Sequence, residues 1–202
     1  MSVDVSCHFG KPVSLASVAG YVPAVLSDLL GGPRVVLPPV RVNEGWAAPE
    51  GAAPLVQSEL SDRIIGGHGS AGSVFTFRIA GTPDPVILSV MDRADEDDPD
   101  PEMVGYASPC RTCTGVVLAL AIVLSIGLVS GGALGDDWQL PRHDFVEEPA
   151  GDPQRFLDLT RMPLSAGLTD INLPARCEEF LRRFPRLGGW PRDRSIGVTA
   201  SP

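Results

Sequence analysis

The sequence predicts an α+β fold: a mostly antiparallel sheet with helices packed on one face, and a central apolar helix over 112–130 buried in the middle. Three observations carry this. Apolar and polar residues alternate through Val3–Phe9, and again through Phe75–Ile79, which a five-residue Gly-Thr-Pro-Asp-Pro connection links to Val86–Met91. Apolar residues recur at helical spacing over 15–29 and 177–184. Between them Thr112–Gly135 runs uncharged for 24 residues. Strands and helices in this order suit one antiparallel sheet covered on a single face.

In chain order, Val3, Val5, Cys7 and Phe9 alternate with Ser2, Asp4, Ser6 and His8, so a first strand is predicted with one buried and one wet face. Leu15, Val18, Val22, Val25 and Leu29 then mark a helix, capped by Ser14 and ended by Gly31-Gly32. Pro23 removes one hydrogen bond inside it and should kink or split it. Arg34–Val42 reads as extended, and Pro38-Pro39 confines it to a sheet edge or breaks it. Residues 43–73 read as irregular, with a short helix within Leu55–Ile65.

The hairpin of 75–91 follows, then an acidic loop over 92–102, with seven acids and one Arg, and a short strand over Val104–Ala107. After the apolar run, the glycines of 131–135 lead into a strand through Asp136–Leu140, expected beside the hairpin with Trp138 on its buried face. Residues 141–173 read as loops with at most one helical turn near Arg155–Leu159. Pro174 suits a helix start, and Cys177, Phe180, Leu181 and Phe184 form its apolar stripe. Glu178 with Arg182 and Glu179 with Arg183 have the favourable i,i+4 orientation. Residues 1–190 are therefore taken as a single α+β domain, and 191–202 as a flexible tail.

Composition narrows function. With 16 basic and 25 acidic residues the net charge is −9, which argues against nucleic acid as a partner, since such surfaces are basic. Four cysteines in 202 residues are too few for a disulfide scaffold. The first residues carry neither a basic nor an apolar leader region, so a cytoplasmic start with reduced thiols is expected. One Lys and fifteen Arg, with much Ala, Gly and Pro, suggest a GC-rich bacterial source.

Each motif that resembles chemistry has a plainer reading beside it. Cys110 and Cys113 stand before a helix, where the N-terminus stabilises a thiolate, so a redox pair is one candidate. No buried strand with an aromatic residue delivers Cys110, and two ordinary buried thiols are the plainer reading. Zinc would need four ligands, and Cys7 and His8, adjacent on a strand, point to opposite faces. The loop Gly66–Gly72 lacks the Lys of a phosphate loop, and His68 stands where a nucleophile elbow needs Gly, so it reads as a connection. The acidic loop lacks the central Gly of a calcium loop and is interrupted by Pro99 and Pro101. A solvated loop is the plain reading, yet Asp95, Glu96, Asp97, Asp98 and Asp100 also suit a basic protein partner. His8, His68 and His143 accompany no nucleophile. No cofactor is expected.

The apolar run is long enough to cross a bilayer, which gives a second localisation: the inner membrane, as a single span through 112–135 with the preceding residues cytoplasmic. Against this, Gly115, Gly127, Gly131 and Gly132 interrupt the run, and its usable helix of about 17 residues is at the short limit for a span. A helix apolar all round also serves as the buried centre of an α+β domain.

Several stretches together, Val104–Cys113 (VGYASPCRTC), Ser130–Pro141 (SGGALGDDWQLP) and Phe180–Leu187 (FLRRFPRL), with the hairpin and acidic loop, resemble a loosely defined class of small actinobacterial proteins that are similar to polymorphic-toxin immunity proteins. The resemblance covers about residues 74–190. The departure lies in the central helix, which lacks the polar positions of that class. The resemblance implies a non-enzymatic protein-binding function of immunity type and no catalytic residues. Three readings stand: that one, a single-span membrane protein, and a thiol oxidoreductase using Cys110 and Cys113.

Overall fold

A computed structural model of the chain describes residues 4–31, 37, 39–46, 52–93, 102–110, 112–135, 151–164 and 172–184. The first strand, β1, spans Val5–His8, and β2, Val13–Ser14, leads directly into helix α1, Leu15–Leu30. The Ser14 hydroxyl accepts from the Ser17 N–H (3.2 Å), the predicted cap. Pro23 lies inside α1 without splitting it: the helix runs on for 16 residues, and its buried stripe of Leu15, Val18, Val22, Val25 and Leu29 holds both halves against one core. Strand β3, Val40–Glu44, starts just past Pro39. Helix α2, Gln57–Asp62, and β4, Ile64–Ile65, give order to much of the stretch read as irregular, and β4 pairs with β2 in a small second sheet. A 3-10 turn, His68–Ser70, follows.

The hairpin comprises β5, Val74–Ile79, and β6, Val86–Arg93. Strand β7, Glu102–Pro109, is twice the length read from the sequence, because backbone pairing with β6 continues two residues beyond each end, from Arg93 opposite Glu102 to Val86 opposite Pro109. Helix α3 then spans Cys113–Ser130, followed by β8, Ala133–Leu134. Helix α4, Pro153–Thr160, makes two turns where one was expected. Asp152 caps it, accepting from the Gln154 and Arg155 N–H groups (2.9 and 3.2 Å). Helix α5 spans Leu173–Arg183.

The main sheet has the order β3-β5-β6-β7-β1-β8, and every pairing is antiparallel. β3 is an edge strand, as the prolines before it require. β8 pairs with β1. That neighbour is fixed by a close approach: a Cβ on Gly132 would lie 1.8 Å from the His8 carbonyl oxygen, so only glycine lets the chain turn there. Trp138 and the predicted strand through Asp136–Leu140 lie outside the described residues, as do 191–202. Both edges are covered by backbone: the Leu55 N–H donates to the Val42 carbonyl, and the Leu134 N–H to that of Gly151.

Register sorts the sheet into two faces. Val42, Phe77 and Val86 align across β3, β5 and β6, and Phe75, Leu88, Ala107 and Val5 align across β5, β6, β7 and β1. This face meets the helices, with Gly105 of β7 lying under Ile126 of α3. Ser6, predicted wet, is buried on the other face, because β1 lies inside the sheet and Ser6 is opposite Tyr106.

Helix α3 lies across β7 and β1, with α1, α4 and α5 packed on its other sides. Fifteen of its 18 residues are buried. The Thr112 hydroxyl accepts from the Gly115 N–H (3.0 Å), and Gly131 closes the helix in the left-handed conformation. Arg176 of α5 ties the helices together. Its Nε donates to the Leu30 carbonyl (2.8 Å), Nη2 to that of Pro163 (2.7 Å), and Nη1 to the Glu179 carboxylate (2.6 Å). Glu179 therefore pairs with Arg176 and not with the predicted Arg183, whereas Glu178 and Arg182 pair as predicted.

Candidate functional site

Two regions carry the residues singled out from the sequence. The first is the start of α3. Cys110 ends the sheet at the close of β7, Thr112 is the cap, and Cys113 is the first helical residue. Cys110 Sγ lies 3.4 Å from the Thr112 hydroxyl and 3.7 Å from the Asp84 carboxylate. A Cβ on Gly115 would fall 2.7 Å from that sulfur, so glycine leaves room for the thiol against the first turn. Both thiols are half-buried, not fully buried as the plainer reading had them.

Electrostatics here keep both thiols protonated. Burial raises the Cys110 pKa, the Thr112 hydrogen bond opposes it, and the Asp84 charge adds to the rise. Burial likewise raises that of Cys113, with Glu178 adding and Arg182 opposing. The helix N-terminus is thus outweighed by desolvation and carboxylates, the reverse of the environment that activates a redox cysteine.

A third thiol, read from the sequence only as part of the apolar stripe of the last helix, lies beside this pair. Cys177 of α5, buried, hydrogen-bonds the Thr114 side chain and lies close enough to Cys113 for the two thiols to interact. Nothing local signals this, because the two cysteines are brought together only by the packing of α5 on α3. Burial pushes Cys177 up to about 12. Cys7 on β1 is likewise pushed up to about 12 by burial. Among the described residues, no group of three or more His, Cys, Asp or Glu side chains could hold a metal ion.

The second region is the end of the β6–β7 hairpin. Asp95, Glu96, Asp97, Asp98 and Asp100 lie outside the described residues, but the strands that carry them are paired up to Arg93 and Glu102. Beside them His8 Nδ1 lies 2.7 Å from the Glu102 carboxylate, on the sheet face away from the helices. His8 and Cys7 thus point to opposite faces, as the alternation requires.

Among the described residues one helix, α3, is long and apolar enough to cross a membrane by length and composition. Its surroundings supply another reason for that composition, since sheet and helices enclose it on every side. Comparison with protein-family models, with curated proteins and with solved structures finds no significant match.

Proposed function

We propose that this is a non-enzymatic protein-binding protein of immunity type, cytoplasmic, that sequesters a basic protein partner. The observation that carries the reading is the hairpin: β6 and β7 stay paired to Arg93 and Glu102, and the sequence that joins them carries five acids, on a chain of net charge −9. Such charge accelerates and orients association with a basic surface. The protonated thiols beside α3 weigh against the oxidoreductase reading. The test is a pull-down from the source cell at low and high salt, using the wild-type chain and one with Asp95, Glu96, Asp97, Asp98 and Asp100 changed to Asn or Gln. The expected result is a basic partner lost at high salt and with the neutralised chain. Recovering no protein, or partners indifferent to salt, overturns the reading.

A single span through 112–135 is the second reading, favoured by the length and composition of α3. Carbonate extraction separates the two: a pellet that resists it supports the span, and a soluble monomer removes it.

A further inference from the structure

Two arginines face one another across the β3–β5 pair: Arg41 stands directly opposite Arg78 in the antiparallel register. Both lie on the sheet face turned away from the helices, since Val42 and Phe77, their chain neighbours, lie on the other. Residues opposite one another in such a pair have Cβ atoms about 5 Å apart, and like charges there repel. The other described arginines are engaged. Arg63, Arg161, Arg176 and Arg182 pair with carboxylates, Arg183 lies over the Phe184 ring, and Arg93 and Arg155 each take part in an interaction of their own. Arg41 and Arg78 have no ion pair among the described residues, on a chain with 25 acids to 16 bases. Arg78 Nε is moreover buried without a hydrogen-bond partner, a costly state for a donor of a charged group.

Nothing on the adjoining sheet surface neutralises the pair. The outward positions of β3, β5 and β6 hold no acidic residue. The next row is Asn43 opposite Thr76, and both side chains are already occupied, donating to the Ala53 and Gly45 carbonyls (2.8 and 2.6 Å).

We propose that Arg41 and Arg78 form a binding site for a compact dianion of the phosphate type, free or as a small monoester. Each planar guanidinium can meet two oxygens of such a group, whose charge offsets both arginines. Arg78 has no bond to break when its guanidinium turns out to a ligand, and Nε gains there the acceptor it lacks. Arg41 is exposed on an edge strand, so the pair is open to solution from that side. An extended polyanion is a poor occupant: the net charge of −9 repels it, whereas a compact ion meets the local charge.

The test is thermal unfolding of the full chain in inorganic phosphate and in sodium chloride at matched ionic strength, with calorimetric titration of phosphate into the same chain. Phosphate binds the wild type and raises its unfolding midpoint above that in chloride. Phosphate also stabilises proteins generally by exclusion from their surface, so the variants decide. Arg41→Gln and Arg78→Gln each weaken phosphate binding about tenfold, the loss of one charge-assisted contact, and lose the excess rise in midpoint. Arg182→Gln, an equal change of charge on the exposed side of α5, keeps both. Arg41→Gln, at an exposed edge position, keeps the test decisive if Arg78→Gln fails to fold. Equal responses in all four chains, or no phosphate binding by the wild type, overturn the site. Glycerol phosphate bound more tightly than phosphate marks a monoester as the ligand, and equal binding marks the free ion. A glutamate peptide that displaces phosphate overturns the compact ligand.

Discussion

Helices α3 and α5 pack against one another, yet they are built on opposite plans. α5 shows one apolar stripe, Leu173, Cys177, Phe180 and Leu181, and turns Glu179, Arg182 and Arg183 outward, while Arg176 reaches back to the Leu30 and Pro163 carbonyls. α3 has no outward side: from Thr114 to Gly127 every residue is buried, and its two serines, Ser125 and Ser130, are buried too. Ser125 is accommodated because its hydroxyl donates to the Ala121 carbonyl one turn back (2.6 Å). The difference follows from position. α5 is an outer helix with one neighbouring surface, and α3 is enclosed by the sheet, α1, α4 and α5. Apolarity all round is therefore what an enclosed helix requires, and it coincides in composition with a membrane span.

The strongest way to break that comparison is a charge at the middle of α3. Leu120 is fully buried, so Leu120→Asp places an unpaired carboxylate where no partner and no water can reach it. The expected cost exceeds about 4 kcal/mol, a large part of the whole stability of a domain. Urea unfolding, or soluble yield at 37 °C, reads the result. A chain that stays folded, or that moves unchanged into the membrane fraction, would show that α3 is not enclosed.

Phe180→Ala tests the plan of α5 directly. The ring is fully buried and meets that of Phe184 at a centroid distance of 5.2 Å. Its loss should cost about 3–5 kcal/mol by removing contacts and leaving a cavity beside α3. Glu178→Ala on the same helix removes a surface i,i+4 pair with Arg182 and should cost less than about 0.5 kcal/mol. Equal small effects in denaturant titrations would mean that α5 is not docked.

The two helices also differ in how much of them can be read from the residues alone. Both ends of α3 are legible, since Thr112 and Gly131 are local signals that act within one turn. The stripe and start of α5 are legible for the same reason. What is written by long-range packing is not: β8 lies beside β1 because Gly132 admits the His8 carbonyl, and Glu179 turns to Arg176 because that guanidinium is already fixed by the Leu30 and Pro163 carbonyls. The two residues at each end of β7, Glu102-Met103 and Ser108-Pro109, carry no strand signal of their own, and a backbone ladder pairs them regardless. α4 carries a start signal, Asp152-Pro153, that its loop-like neighbours obscure. Of the candidate site, the CxxC spacing is visible, but its desolvation and the approach of Cys177 depend on α5, which is 64 positions away from Cys113 at that cysteine.

The thiols offer the finest contrast between the helices, because Cys113 begins α3 half-exposed and Cys177 lies buried in the stripe of α5. A thiol reagent at mild pH should modify Cys110 and Cys113 in the folded chain, and Cys7 and Cys177 only as fast as the chain unfolds. The buried pair also sets an alkaline limit. Both are raised from 9.0 to about 12 by folding, so the folded state holds their protons more tightly than the unfolded one. Their contribution is fully present below about pH 9 and is lost as pH rises towards 12, with a slope of about 1.4 kcal/mol per pH unit for each thiol. The decisive measurement is therefore a difference between two chains. Cys177→Ala, compared with wild type in urea titrations at pH 8 and pH 10, should lower stability at pH 8 through lost packing and then lose less on going to pH 10. An identical loss in both chains would show that the Cys177 thiol is not shielded, and that the stripe of α5 does not seal the start of α3.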